Sequence, residues 1–197
     1  MSNVYEECPV LEDEFFLLRL VDQSDVEDLL KVYGDKNAVP YFNSDNCGGD
    51  NFYYPTKERM QEAIQYWLRE YKQQGFVRFA IIDKNKQQTI GTIELFHRNA
   101  DDDFTNCGLL RLDLRNDYER KDVICEIISV ILESSFELFD CTMIATKLPI
   151  YAVERVAALE KLGFKKSSEV LFGHDGRNYY DYWEKSYKGV TLNPHVS

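Results

Sequence analysis

The sequence predicts a mixed α+β protein built on a largely antiparallel sheet, and three observations carry that prediction. Apolar stripes at helical spacing recur four times, at Val26–Tyr33, Met60–Tyr71, Val123–Phe139 and Tyr151–Leu162. Between the second and third stripes three strand-like runs, Val77–Ile82, Thr89–His97 and Cys107–Leu114, follow one another across polar turns. One more such run, Thr142–Leu148, lies between the last two helices, as in a crossover that sets two strands parallel. The expected order is β-α-α-β-β-β-α-β-α-β-β, with about seven strands and helices on both faces of one twisted sheet.

The chain opens with "FFLLRLV", Phe15–Val21, as the first strand. "SDVE", Ser24–Glu27, reads as a capping box in which Ser24 caps the first helix and Glu27 reaches back. That helix presents Val26, Leu29, Leu30 and Tyr33 on one face. Residues 34–56, rich in Gly, Asn, Asp and aromatics, form a long loop of the kind that carries function. The second helix aligns Met60, Ala63, Ile64, Trp67, Leu68 and Tyr71 and stops at Gly75. Asp83–Gln88 is a hairpin turn and Arg98–Asn106 a loop. The third helix starts near Asp122 and aligns Val123, Ile124, Ile127, Ile128, Ile131, Leu132, Phe136 and Phe139. The fourth is closed by Gly163 in the position after the cap. "FKKSSEVLF" and "NYYDYWEKSY" supply two final strands around "GHDGR", and the tail 189–197 is expected to fray. Nothing resembles a repeat or an interdomain linker, so one domain over 1–197 is expected, with its core at about 15–187.

The 197 residues carry a net charge of −11, which argues against a nucleic-acid or anionic-membrane partner and suits a cationic one such as an amine. Solubility alone is the simpler account of the same charge. Cys8, Cys47, Cys107, Cys125 and Cys141 are scattered without a CxxC pair, and the three histidines lie far apart. This is neither a zinc pattern nor a disulfide framework, and free thiols suit a reducing compartment. The first residues are acidic where a secretory leader is basic, and no apolar run approaches the ~20 residues of a membrane span. A cytoplasmic location is therefore expected, and a homodimer is compatible with the sequence.

The chemistry concentrates in "LRNDYERKDVICEI", Leu114–Ile127. A strand ends, a turn carries Arg115, Arg120 and Lys121, and a helix begins. Strand, basic turn and helix N-terminus make an anion site, because the first helical amides lack internal partners and carry a partial positive charge. Asp117, Glu119 and Asp122 share the turn, however, and Asp122 also suits an N-cap. The three cations serve equally as solvated surface groups.

The element order, "LRNDYERKDVICEI", "ALEKLGFKK" (Ala158–Lys166), "LRLVDQSDVEDLLKVY" (Leu18–Tyr33) and "IGTIELF" (Ile90–Phe96) together resemble the GNAT acetyltransferases. The likeness is nearest the Rim-type branch, which acetylates protein N-termini and related amines, and it covers about residues 15–187. It implies acetyl-CoA as co-substrate, no metal, and a small-molecule or peptide amine as acceptor. The coenzyme lies where the strand before the third helix splays from the strand after it. Leu112 and Leu114 stand in the arm-binding strand, with Arg115, Arg120, Lys121, Asp122 and Val123 around the diphosphate. In the family pattern Arg/Gln-x-x-Gly-x-Gly/Ala, this chain has Glu119, Asp122 and Ile124 at the three motif positions. On the fourth helix, Ala152 and Leu159 occupy the family's frequent Asn and Tyr positions, with Tyr151 beside the first.

Direct attack by an amine requires a polarised acetyl carbonyl and a route for the amine's proton, and no enzyme-bound acyl group. Where relatives carry Glu at the start of the strand, this chain has Asn106 and Cys107. Glu94 is therefore the first candidate base and Asp113 the second, each with an ion-paired strand residue as the alternative. Tyr41, Phe42, Asp45, Tyr53 and Tyr54 in the long loop are the candidate acceptor-binding residues, cation-attracting and aromatic; the alternative is a loop whose aromatics fold back on the core. A GNAT-fold binding or regulatory module without turnover is the rival reading, motivated by the acids at the motif.

Overall fold

The computed structural model describes residues 3–187, so the expected fraying of the tail lies outside the described residues. An eight-stranded sheet runs in the order β1-β2-β3-β4-β5-β6-β10-β7, beside a two-stranded β8-β9 hairpin. The strands are β1 Leu11–Glu12, β2 Phe16–Leu20, β3 Val77–Asp83, β4 Gln88–Arg98, β5 Cys107–Leu114, β6 Met143–Lys147, β7 Lys165–Lys166, β8 Leu171–Phe172, β9 Asn178–Tyr179 and β10 Tyr182–Ser186. The helices are α1 Val26–Tyr33, α2 Lys57–Lys72, α3 Lys121–Leu138 and α4 Val153–Lys161. All neighbours in the large sheet pair antiparallel except β5 and β6, joined through α3.

Period-two alternation sorts the strands onto two faces. Phe79, Ile81, Ile93, Leu95, Leu110, Leu112 and Leu114 meet Ile124, Ile127, Ile128 and Ile131 of α3 and Leu159 of α4 in one core. On the other face Ala80 packs with Leu29 and Tyr33 of α1, Ile64 and Trp67 of α2, and Phe42, Phe52 and Tyr54 of the 34–56 loop. Among the described residues no helix is long and apolar enough to cross a membrane, no His/Cys/Asp/Glu group is arranged to hold a metal, and all five cysteines are free.

Several boundaries differ from the sequence expectations. The first capping box is Asp22 with Asp25, not Ser24 with Glu27: Asp22 Oδ1 accepts the Ser24 amide at 2.6 Å, and Asp25 Oδ2 accepts the Asp22 amide at 2.9 Å. A bidentate Arg19, at 2.8 and 2.9 Å, fixes Asp25 in that role. Helix α2 ends at Lys72, three residues before Gly75; Gln74 makes the left-handed turn at φ 59, and the Gly75 amide bonds back to the Glu70 carbonyl at 2.8 Å. The two long final strands are four short ones, and Asp181, at φ 65, separates β9 from β10. Gly163 does terminate α4, at φ 83: its amide bonds to the Glu160 carbonyl at 3.0 Å and the Phe164 amide to Leu159 at 2.9 Å.

Candidate functional site

Strands β5 and β6 pair in register only from Cys107–Met143 to Leu109–Ala145. Both run on, β5 to Leu114 and β6 to Lys147, so their last residues part and leave a wedge. The edge of β5 that faces the wedge carries main-chain polar groups, and the Leu112 carbonyl among them accepts from Arg155 Nη1 at 2.8 Å. The first-turn amides of α3 stand at its far end.

Beside the wedge, on the face under α1 and α2, three strands align a charge ladder. Arg78 on β3 lies opposite Glu94 on β4, and Glu94 lies opposite Arg111 on β5. Arg78 and Glu94 are ion-paired, Arg111 Nη1 donates to Glu94 Oε1 at 2.7 Å, and Arg78 Nη1 donates to Asp113 Oδ2 at 3.0 Å. Tyr33 Oη also donates to Asp113, at 2.7 Å. Burial alone raises the Glu94 carboxyl, but Arg78 and Arg111 outweigh it and hold the group below the usual carboxylate range. Burial raises Asp113, with Arg78 offsetting only part of the effect. Glu94 lies on the floor of an open groove. Asp113 sits behind Arg78 with no exposure, so its place as second base is corrected to that of a structural partner for Arg78 and Tyr33.

That groove, of about 1150 Å³, runs between α2, residues 46–54 and the β8–β9 hairpin, with Tyr54, Tyr66, Trp67 and Phe96 along it. A smaller opening of about 280 Å³ lies at the end of β6, between Tyr41, Phe42, Asp45, Lys147 and Tyr151. The five expected acceptor-binding residues are therefore split. Tyr41, Phe42 and Asp45 line the small opening, Tyr54 lines the groove, and Tyr53 lines neither. Phe42 and Tyr54 are mostly buried against Tyr33, so part of the loop does fold back on the core. Asp45 is not a free acid for a cation, because Lys147 Nζ holds its two oxygens at 2.7 and 2.8 Å.

Asp102 ties the hairpin to the groove wall. Its oxygens accept from Arg98 at 2.6 Å each, from the Phe172 amide at 2.8 Å and from the Phe104 amide at 3.0 Å. Burial raises this carboxyl, and Arg98 with the two amides lowers it further than that. A carboxyl depressed in the folded state contributes stability above its ordinary pKa of about 3.9, and loses it as pH falls through the lower folded value. The protection of the Phe172 amide, the slowing of its exchange relative to an unstructured chain at the same pH, is therefore expected to fall as the pH is taken below about 4 in the wild type. In D102N that protection should be low across the range; equal protection in both proteins would contradict the tether.

The mouth of α3 differs from expectation. Arg120, not Asp122, is the N-cap residue, and no side chain of the helix's own first turn caps it. Asp122 points to solvent with 84% of its side chain exposed and its nearest cation, Lys161, 3.9 Å away. The Lys121 amide is instead taken by Glu154 Oε2 of α4 at 2.7 Å. Arg120 and Lys121 are exposed, Val123 is half-buried, and Arg115 is paired with Asp117 at 2.7 and 3.0 Å. Leu114 is buried in the core. Tyr151 bridges to the long loop, donating to the Pro40 carbonyl at 2.5 Å with its ring edge-on to Tyr41. Glu119, the first acid of the motif, is buried against Arg155. Sequence reasoning passed over Arg155, Arg78 and Arg111. The signal was present: each is a lone cation inside an apolar pattern, where a charge requires a buried partner.

The sequence matches the Acetyltransferase (GNAT) domain family over residues 16–165. The chain belongs to the GNAT acetyltransferase family, an acetyl-CoA-dependent class of enzyme. No curated protein matches it in sequence. Among solved structures it is similar to a ribosomal-protein-alanine acetyltransferase from Vibrio fischeri, at 19% identity and TM-score 0.68, covering 92% of this chain and 98% of that one. It is similar to a ribosomal α-N-protein acetyltransferase in complex with coenzyme A, at 12% identity and TM-score 0.67, covering 90% and 98%. A spermidine N-acetyltransferase from Vibrio cholerae in complex with CoA and spermine gives 14% identity, TM-score 0.64 and coverages of 88% and 96%. At these identities the likeness is one of fold.

Proposed function

We propose that the protein is an N-acetyltransferase of the Rim-type branch that moves an acetyl group from acetyl-CoA to a primary amine, either a peptide N-terminus or a small cationic amine, by direct attack. The observation that carries this reading is the wedge where β5 and β6 stop pairing while both strands continue. Its free strand edge and the α3 amides beyond it suit the arm and diphosphate of the coenzyme, so the residues present fit the group. When bound, acetyl-CoA supplies an acetyl group activated as a thioester. The Leu112 main-chain amide would hold the arm, and Arg120, Lys121 and the amides of Asp122 and Val123 the diphosphate. The aromatic groove over Glu94 would take the acceptor, a role supported by amine- and peptide-acetylating proteins of the same fold. Glu94 is paired there with Arg78 and Arg111, and the two guanidiniums make it a weak base. The acceptor's proton then leaves to water through the open groove.

The test is a thermal-shift titration with coenzyme A beside a thiol-release assay across peptide N-termini, polyamines and aminoglycosides. At a hundredfold excess over the dissociation constant, stabilisation of about 2.7 kcal/mol is expected, with thiol release for at least one amine class. Affinity without turnover would mark a binding module, and absence of both would remove the reading.

A further inference from the structure

Arg155, in the first turn of α4, is 3% exposed and lies on the helix face that also carries Ala152, Ala158 and Leu159. Its guanidinium joins three separate parts of the chain. Nη1 donates to the Leu112 carbonyl on the free edge of β5 at 2.8 Å and to the Tyr41 carbonyl in the long loop at 2.9 Å. Nε donates to Glu119 Oε2 at 2.9 Å, and Nη2 is paired with the other Glu119 oxygen. Glu119 itself is buried, with 7% of its side chain exposed, two residues before α3 begins. A carboxylate gripped side-on by a guanidinium thus occupies the place where the wedge meets the amides of α3.

Stability alone is a poor reason for such a pair, since apolar residues of similar volume commonly serve as well or better. Its geometry suggests another. The planar fork of arginine binds a carboxylate and a phosphate in the same two-bond manner, so one can replace the other without the arginine moving. We infer that Arg155 is a ligand of the coenzyme's diphosphate and that Glu119 holds its place until the coenzyme arrives. This rests on the acetyltransferase reading and adds to it a residue outside the motif, supplying from α4 the anion affinity that the acids at the motif positions take away. Because the same guanidinium holds the Tyr41 carbonyl, the exchange reaches the loop that borders the acceptor groove.

The experiment is isothermal calorimetry of the full chain, its E119Q variant and its R155Q variant with coenzyme A, and with pantetheine, which has the arm but no diphosphate. Melting curves confirm that each variant is folded. E119Q, which removes the competing charge, is expected to bind coenzyme A several-fold more tightly. R155Q is expected to bind it several-fold more weakly, with pantetheine affinity the same in all three proteins. Unchanged or weaker binding by E119Q overturns the exchange, and tighter binding by R155Q shows a plug where a ligand is claimed and overturns it equally. Equal shifts for pantetheine would assign the effect to the arm and also overturn it. If none of the three proteins binds coenzyme A, the acetyltransferase reading falls together with this one; if the wild type binds and E119Q matches it, only this inference falls.

Discussion

Replacing Glu94 by alanine is expected to destabilise the protein by about 3–5 kcal/mol, the usual result of removing one member of a buried ion pair. The carboxylate is 2% exposed and lies between Arg78, 1% exposed, and Arg111, 7% exposed. With it in place the ladder is balanced, two guanidiniums against Glu94 and Asp113. Without it Arg78 keeps Asp113 and Arg111 keeps only the Asp45 carbonyl, at 2.7 Å. Neither arginine can shed its charge, because guanidinium stays protonated at any working pH. Both also carry a buried Nε without a partner in the protein, so little further satisfaction is available from within. Glutamine at the same position keeps the volume and one acceptor oxygen and should cost less than alanine. Urea unfolding of the two variants measures both effects. A loss below about 1 kcal/mol for alanine, the range of exposed pairs, would mean that the carboxylate is not sealed between its partners.

This ladder also shows how far the sequence could be followed. Strand β5 has the bounds its apolar run predicts, Cys107–Leu114, because it is buried on both faces along its whole length. Alternation along β4 turns Glu94 away from its neighbours Ile93 and Leu95, which pack in the α3-side core. What faces it there is set by strand register: Arg78 is 16 residues away in one direction and Arg111 is 17 in the other. A local pattern does not contain that pairing. The same limit explains the 3-10 turn Gln23–Asp25 that leads into α1, where Asp22 and Ser24 are both good cap residue types and the decision comes from Arg19 gripping Asp25. It explains the α3 mouth as well. Asp122 was a sound local choice of cap, but the acceptor for the Lys121 amide arrives from Glu154, 33 residues on. Local chemistry singles out the segment as an anion-site candidate, and long-range partners decide which side chains stand there.

Trp67→Ala is expected to cost about 3–5 kcal/mol, in the range for deleting a buried large aromatic side chain. Trp67 is 2% exposed on α2, and its ring packs with Tyr33 at 5.5 Å and Tyr54 at 6.5 Å between centroids. It also covers the Arg78 guanidinium at 4.2 Å, so the substitution removes a cation–π contact and uncovers the head of the charge ladder. Phenylalanine restores part of the volume and an aromatic face and should recover part of the loss. The functional consequence separates the two sides of the molecule. Trp67 lines the groove proposed for the acceptor and lies on the opposite sheet face from α3. The phenylalanine variant should therefore raise the acceptor's KM while leaving the calorimetric affinity for coenzyme A unchanged. A variant that lost coenzyme affinity and kept its acceptor KM would place the acceptor elsewhere, because the groove and the wedge meet the sheet from different sides and a change confined to one wall should be felt first by the ligand resting against it.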